Sequence, residues 1–399
     1  MKYAILVPDG MSDYPIESLE GKTPLEVAKT PNMDTIANHG IIGKVRTIPE
    51  GLTPGSDVAN LAILGYDPKI NFPGRGPLEA ANLGIKLDAN DYVFRCNLVT
   101  VFDEKMVDYS SGHITTAEAD KLIRTLNQKL GNDLIKFYPG VSYRHIMVVK
   151  DNPHFDFKDI RTTAPHDILS KEIKKFLPKG KSADFLIEIM KKSVEVLESH
   201  EINSVRIDLK ENPANRIWLW GQGQKIDLPS FKDKYGLTGA VISAVDLVKG
   251  IGKSIGLDII NVEGATGYYD TNYEGKAKAA IEVLEKNDFV YVHVEATDEA
   301  GHNGDLKEKL LAIERFDQVI VGNILRYLEK TGDFRILVLP DHATPITLRT
   351  HASDPVPFIM MGKNIVHSGT KKYSEASAAS SLNIFNSGAE LINNFLKVQ

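Results

Sequence analysis

The chain has 399 residues, 42% apolar and 25% charged. At ~150 residues per domain, this fits a globular protein of two or three domains with ample buried core. Lys and Arg total 47 against 53 Asp and Glu, a formal charge of -6, which argues against nucleic acid as a partner, since phosphate backbones need a basic face. The single cysteine, Cys96, excludes an internal disulfide and a cysteine-based zinc site, and favours a reducing, cytoplasmic compartment. No apolar run approaches the ~20 residues of a membrane span, and the apolar start of the chain stops at Asp9.

Residues 3–7 are short, apolar and partly β-branched, and run into Pro8-Asp9-Gly10, the pattern of a buried strand ending in a turn. Thr53-Pro54-Gly55-Ser56-Asp57 precedes a predicted helix at 58–66. Pro73-Gly74-Arg75-Gly76-Pro77 is the strongest breaker cluster and reads as a hinge or domain crossing. Beyond it come predicted strands at 92–102, 141–149 and 204–209 and helices at 116–131 and 182–200. A break at Glu211-Asn212-Pro213 precedes an apolar strand at 216–220. Helices at 275–285 and 307–329 then alternate with strands at 288–294 and 334–339. Such alternation predicts a parallel sheet covered on both faces. The expected organisation is an inserted domain at 74–212, with 1–73 and 213–399 forming one discontinuous α/β domain.

Parallel sheets bind ligands at the carboxyl ends of their strands, where Asp9, Asp298 and Asp341 fall. One such Asp is most simply a turn former; three, two with a histidine nearby, ask for more. Asp298 and His302 are four apart and share a face if the segment is helical, so both could hold one divalent ion. Asp341 and His342 are adjacent and should point apart, better placed to bridge two neighbouring ions than to share one. His351 follows nine residues on. Three imidazoles, three carboxylates and no thiol suit Mn, Zn, Mg or Fe better than copper. Ser56 falls at a predicted helix start, where the ordinary role is an N-cap. The same place favours an anion, and a serine there beside a metal could be a nucleophile toward phosphorus.

VPDGMSD, LTPGSDVANLAILGYDP, FPGRGPLEAANLGI, IWLWGQG, GLTGAVISAVDLVKGIG, VEGATGYYDTNYEGKA, VHVEATDEAGHNGD, PDHATP and THASDPVPF together span essentially the whole chain. In these motifs the sequence resembles the cofactor-independent phosphoglycerate mutases, most closely their archaeal-type branch, within the alkaline phosphatase superfamily. The resemblance implies an alkaline-phosphatase-like parallel-sheet metal domain, discontinuous, with an inserted α+β domain that clamps substrate. It implies interconversion of 3- and 2-phosphoglycerate with two divalent ions, manganese foremost and Mg, Zn, Co or Fe as alternatives, and without 2,3-bisphosphoglycerate. Asp9, Ser56, Asp341 and His342 would hold one ion; Asp298, His302 and His351 the other; Ser56 would be phosphorylated in turnover. Two ions bring +4, three carboxylates -3 and an ionised Ser56 -1, so the cluster is neutral.

A mutase must keep water from its phosphoserine while glycerate re-presents its other hydroxyl, which an inserted domain closing over the metals could do. That domain should also supply cations for the substrate's carboxylate and phosphate. The candidates are Arg95, His113, Arg144, His145 and Arg161, with Arg75 at the hinge and Lys249 from the metal domain. Glu314 and Asp317 are taken as surface charges on the 307–329 helix. Two other reactions fit the same metal site: a homoserine kinase-like phosphotransfer and a phosphatase in which water intercepts the phosphoserine. The only partner expected is a small phosphorylated substrate, and the oligomeric state is left open.

Overall fold

The strand expected at residues 3–7 forms over Lys2–Pro8, inside an eight-stranded sheet. The computed structural model describes residues 1–396 except 226, 368 and 371. Across the sheet the strands are Ile384–Phe385, Ile41–Val45, Val356–Gly362, Phe334–Val338, Lys2–Pro8, Phe289–Val294, Gly239–Ile242 and Asp258–Ile260. Val356–Gly362 is antiparallel to both its neighbours, and every other pairing is parallel. The central strands are buried along almost their whole length, so they read as continuous apolar runs rather than alternating ones. Ala4, Leu6, Val290, Val292, Ile336 and Val338 face one side, where Ala277, Ala280, Phe316, Ile320 and Ile324 from helices complete the core.

This sheet belongs to a unit made of Met1–Phe72 and Leu228–Gln399; the other unit is Pro73–Asp227. The second unit is built on an antiparallel sheet ordered Lys105–Asp108, Tyr92–Phe102, Arg144–Val149 and Ile135–Tyr138. Arg216–Gln224 pairs with Tyr92–Phe102 as a further strand. The apolar faces of the helices Thr116–Leu130 and Ala183–Glu198 join its core through Leu122, Ile123, Leu126, Leu186, Ile189 and Leu197.

Four expectations change. The strand at 216–220 was expected beyond the insert, yet it lies within Arg216–Gln224, which pairs antiparallel with Tyr92–Phe102, so the chain leaves this unit near Asp227 rather than near 212. Residues 204–209 were expected as a strand but lie in or just after the helix Glu201–Asp208. The alternating Val205, Ile207 and Leu209 are all exposed, at 55, 58 and 65%. The anchors are instead Asn203 and Arg206, polar residues three apart: Asn203 donates to Leu197 O and Ala214 O, and Arg206 reaches Glu118 and Ser111 O. The helix expected at 307–329 is Leu306–Arg315 and Gly322–Thr331 joined by a π-helical stretch, Phe316–Val321. Asp317 in that stretch is buried rather than a surface charge. It accepts from Met33 N at 2.7 Å and Asn32 N at 3.2 Å, closing the start of the helix Pro31–His39, whose own N-cap residue offers no side-chain bond. Glu314 accepts from Lys29 N at 3.0 Å.

Candidate active site

Three neighbouring strands of the large sheet bring together residues more than 330 positions apart. Asp9 follows Lys2–Pro8, Asp341 and His342 follow Phe334–Val338, and Asp298 with His302 lies on the helix Ala296–Asn303 after Phe289–Val294. His351 is carried beside them because Ala352 N bonds Ala343 O at 2.9 Å. Ser56 is the first residue of the helix Ser56–Ile63, and Gly55, not Ser56, occupies the N-cap. The serine hydroxyl is therefore not used for capping. It lies 3.1 Å from His342 Nε2 and 3.4 Å from Asp9 Oδ2.

The donor atoms form two overlapping sets. In one, His342 Nε2 is 3.1 Å from Ser56 Oγ, 3.4 Å from Asp9 Oδ1 and 3.7 Å from Asp341 Oδ2. In the other, His302 Nε2 is 3.2 Å from Asp298 Oδ2 and 2.9 Å from His351 Nε2, and His351 Nε2 is 3.5 Å from Asp298 Oδ1. An ion ~2.1 Å from four tetrahedral ligands spaces those ligands about 3.4 Å apart, so both sets fit a divalent metal. His342 sits between them, since it also forms a tight group with Asp298 and His351. Asp341 and His342 were expected to point apart. They converge instead, the turn after the strand folding His342 N onto Asp341 Oδ1 at 2.9 Å.

Backbone partners orient the imidazoles. His302 Nδ1 meets Arg349 O at 3.1 Å and His351 Nδ1 meets Pro54 O at 3.4 Å. A carbonyl only accepts, so each Nδ1 carries a proton and each Nε2 faces the cluster, where it can offer a lone pair once any second proton is displaced. His342 Nδ1 has the Thr344 hydroxyl at 3.2 Å, and that hydroxyl also donates to Asp298. Asn60 Nδ2 spans Asp341 Oδ2 and Ser56 O, both at 2.8 Å, while its carbonyl accepts from the buried Tyr291 hydroxyl. Gly10, at φ +61°, donates to Asp341 Oδ1; a Cβ there would stand 2.5 Å from Asp298 Oδ1 and from Thr344 Oγ1. The position needs glycine on both counts.

Burial and the neighbouring carboxylates Asp341, Asp298 and Glu295 push Asp9 well above the usual carboxylate range. Burial acts the same way on Asp298, but bonds from His302 and His351 outweigh it and hold that carboxyl well down. His302 loses ground to burial, yet Asp298 lifts it to about 9. The raised Asp9 marks crowded like charge, which a cation would offset, whereas Asp298 and His302 mark an ion pair. Asp9 Oδ1 is buried without a hydrogen-bond partner.

Sequence reasoning missed His293. It is wholly buried on Phe289–Val294, with Nε2 3.1 Å from Asp9 Oδ2, and burial lowers it to about 4. A histidine inside an otherwise apolar central strand was the available signal. Lys276 was also missed; its buried ammonium donates to His293 O at 3.0 Å, and burial lowers it to about 8. Lys249, expected as a substrate contact, is half-buried on the helix Asp246–Ser254, near enough to Lys276 to disfavour its charge.

In the second unit, Arg95 is buried, with Nε 3.0 Å from Glu79 Oε2 and its guanidinium 4.3 Å from the Trp220 ring centre. Arg75 lies 5.7 Å over the same ring, and His166 packs edge-on against it. Arg144 lies over Tyr143, whose ring also meets those of His113 and Tyr109. The structure thus gathers Arg75, Arg95, Arg144 and His113 on an aromatic bed that includes the unpredicted His166. His145 departs from expectation: it is buried, its Nδ1 accepts from Gly140 N at 3.0 Å, and burial lowers it to about 3, so it brings no positive charge. Arg161 is exposed, in a backbone bridge with Lys179.

Residues 37–203 match the family model for 2,3-bisphosphoglycerate-independent phosphoglycerate mutase. The chain is 57% identical to the enzyme of that name from Methanosarcina barkeri, over 90% of this chain and 89% of that one. It is 51% identical to a probable such enzyme from Geobacter sulfurreducens, over 99% and 100%. Among solved structures, a Pyrococcus horikoshii protein is 32% identical with a TM-score of 0.82, covering 99% of this chain and 96% of that one. The cofactor-independent phosphoglycerate mutase of Thermoplasma acidophilum is 27% identical with a TM-score of 0.67, covering 100% and 99%. Identity this high over nearly full length joins the site geometry in one conclusion: the chain belongs to the 2,3-bisphosphoglycerate-independent phosphoglycerate mutase family.

Proposed function

We propose that this protein interconverts 3-phosphoglycerate and 2-phosphoglycerate through a phosphoserine at Ser56, without 2,3-bisphosphoglycerate. The observation that carries the reading is the Ser56 hydroxyl, free of any capping duty and lying 3.1 Å from His342 Nε2 and 3.4 Å from Asp9 Oδ2. The names of the relatives at 51 and 57% identity support the substrate.

Asp9, Ser56, Asp341 and His342 would hold one divalent ion, and Asp298, His302 and His351 the other. Carboxylate and imidazole donors suit manganese, with zinc, magnesium, cobalt and iron as the other candidates. When bound, such ions supply the positive charge that makes an ionised Ser56 hydroxyl and a crowded phosphoryl group affordable. Ser56 Oγ forms its bond to phosphorus as the bond to glycerate O3 breaks, and the serine proton ends on O3. Glycerate then presents its 2-hydroxyl, which takes the phosphoryl group and returns a proton to Ser56. Asn60 keeps Ser56 and Asp341 in register, and Thr344 does the same for Asp298 and His342. Arg75, Arg95, Arg144, His113, Arg161 and Lys249 are the proposed cations for the carboxylate and phosphate.

The test is carbon-13 NMR of the manganese-loaded protein with 3-phosphoglycerate and no 2,3-bisphosphoglycerate, run beside a sample with ATP and homoserine. Appearance of 2-phosphoglycerate in the first tube is expected. Phosphohomoserine in the second tube with none in the first, or glycerate and free phosphate alone, would replace this reading with a kinase or a phosphatase.

A further inference from the structure

The metal ligands implied by resemblance to the family leave one buried nitrogen unexplained. His293 Nε2 is fully buried and has no hydrogen-bond partner, and the same is true of Asp9 Oδ1. Burying such a group without a partner costs about 1–3 kcal/mol, so two of them side by side call for something between or beside them. Asp9 Oδ2, 3.1 Å from His293 Nε2, does not accept a hydrogen bond from it. Donor atoms of Asp9, His293 and Asp341 nevertheless all lie within 4.8 Å of one another.

The far side of the ring is prepared for the same task. His293 Nδ1 lies 3.4 Å from Ser243 Oγ, which already accepts from Val245 N at 3.0 Å. A hydroxyl has two acceptor positions, so Ser243 can take the Nδ1 proton as well. That tautomer leaves a lone pair on Nε2 and matches the way ligating histidines pass their other N–H to an outer acceptor. Lys276 fixes the backbone at the same residue by donating to His293 O. A hydrophobic residue would have filled this strand position without leaving a polar atom bare.

We propose that His293 Nε2 is a direct ligand of the divalent ion held by Asp9 and Asp341, with Ser243 setting its tautomer. The inference rests on the two-ion reading above. It adds a fourth imidazole, His293, to His302, His342 and His351.

Cadmium-113 loading of protein carrying nitrogen-15 histidine tests it directly, because scalar coupling passes only through a cadmium–nitrogen bond. Four histidine Nε2 signals should show coupling, and His293→Gln should remove one while leaving the other three. In cadmium competition titrations the same variant should bind one of its two ions about 100-fold more weakly, the upper end of the 10–100-fold range seen on losing an outer partner. A thermal melt confirms that the variant is folded; should it fail to fold, the coupling count in the unsubstituted protein decides alone. Three couplings in the unsubstituted protein, or four that survive in His293→Gln, overturn the inference and leave two-ion binding standing. No coupling at His302, His342 or His351 would sink the two-ion reading itself, and this inference with it.

Discussion

The Nε2 atoms of His302 and His351 face each other at 2.9 Å across the carboxylate of Asp298. Without an ion, that carboxylate holds a proton on His302 up to about 9, well above the ordinary histidine value. A metal must displace this proton, so apparent metal affinity should rise with pH and level off above about 9. Stability of chelated protein should run the other way. A raised folded-state pKa stabilises fully below the unfolded value of ~6.5, and that contribution is lost as pH climbs through about 9. Metal titrations and thermal melts across this window check both signs; a metal affinity independent of pH would contradict the arrangement.

Ser56→Ala should abolish turnover and leave the melting temperature almost unchanged. Had Ser56 been the N-cap, the substitution would cost ~1 kcal/mol. Gly55 occupies that position, so less is lost. Phosphopeptide mapping of protein quenched during turnover should place the label on Ser56. Near-normal mutase activity in the alanine variant would exclude the phosphoserine route.

Asn60→Leu removes the amide that joins Ser56 O to Asp341 Oδ2 and strands the Tyr291 hydroxyl. Buried groups left without partners should cost about 1–3 kcal/mol each. Activity at saturating substrate should fall roughly 10–100-fold, as for other partners that orient a metal ligand. Tyr291→Phe removes only the outer bond and should be much milder. Denaturant melts and initial rates of the two variants check this; equal effects would show that Asn60 matters for packing alone.

Neutralising Arg144 or His113 should weaken 3-phosphoglycerate binding while leaving metal content intact, since neither residue is in the unit that carries the metal donors. A charge-assisted contact is worth ~1.5–3 kcal/mol, or one to two decades in affinity. The ratio of free phosphate to 2-phosphoglycerate should also rise. Calorimetry on Arg144→Gln and His113→Gln, with paired product assays, is the measurement; unchanged affinity in both would remove these residues from the substrate site. His145→Gln should leave binding unaltered, because that imidazole is already neutral.

Local sequence by itself determined the central strands and the i, i+4 pair Asp298 and His302. Continuous apolar runs and helical spacing act over a few residues and need no knowledge of the partner. It also placed Ser56 at a helix start, and the resemblance carried by the longer motifs supplied the family and the seven residues proposed to hold the metals. Tertiary structure alone decided the rest. Val205, Ile207 and Leu209 alternate as a strand would, yet Asn203 and Arg206 found buried partners and a helix won. The strand at 216–224 chose its unit by pairing with Tyr92–Phe102, a contact more than 110 residues away in sequence that no local pattern contains. Asp341 and His342 converge because a turn overrides the usual divergence of neighbours. His293 and His145 look alike as single letters within apolar strands. One is buried against a carboxylate from the next strand of the parallel sheet and the other against a backbone amide, and that difference in surroundings is what gives each its chemistry.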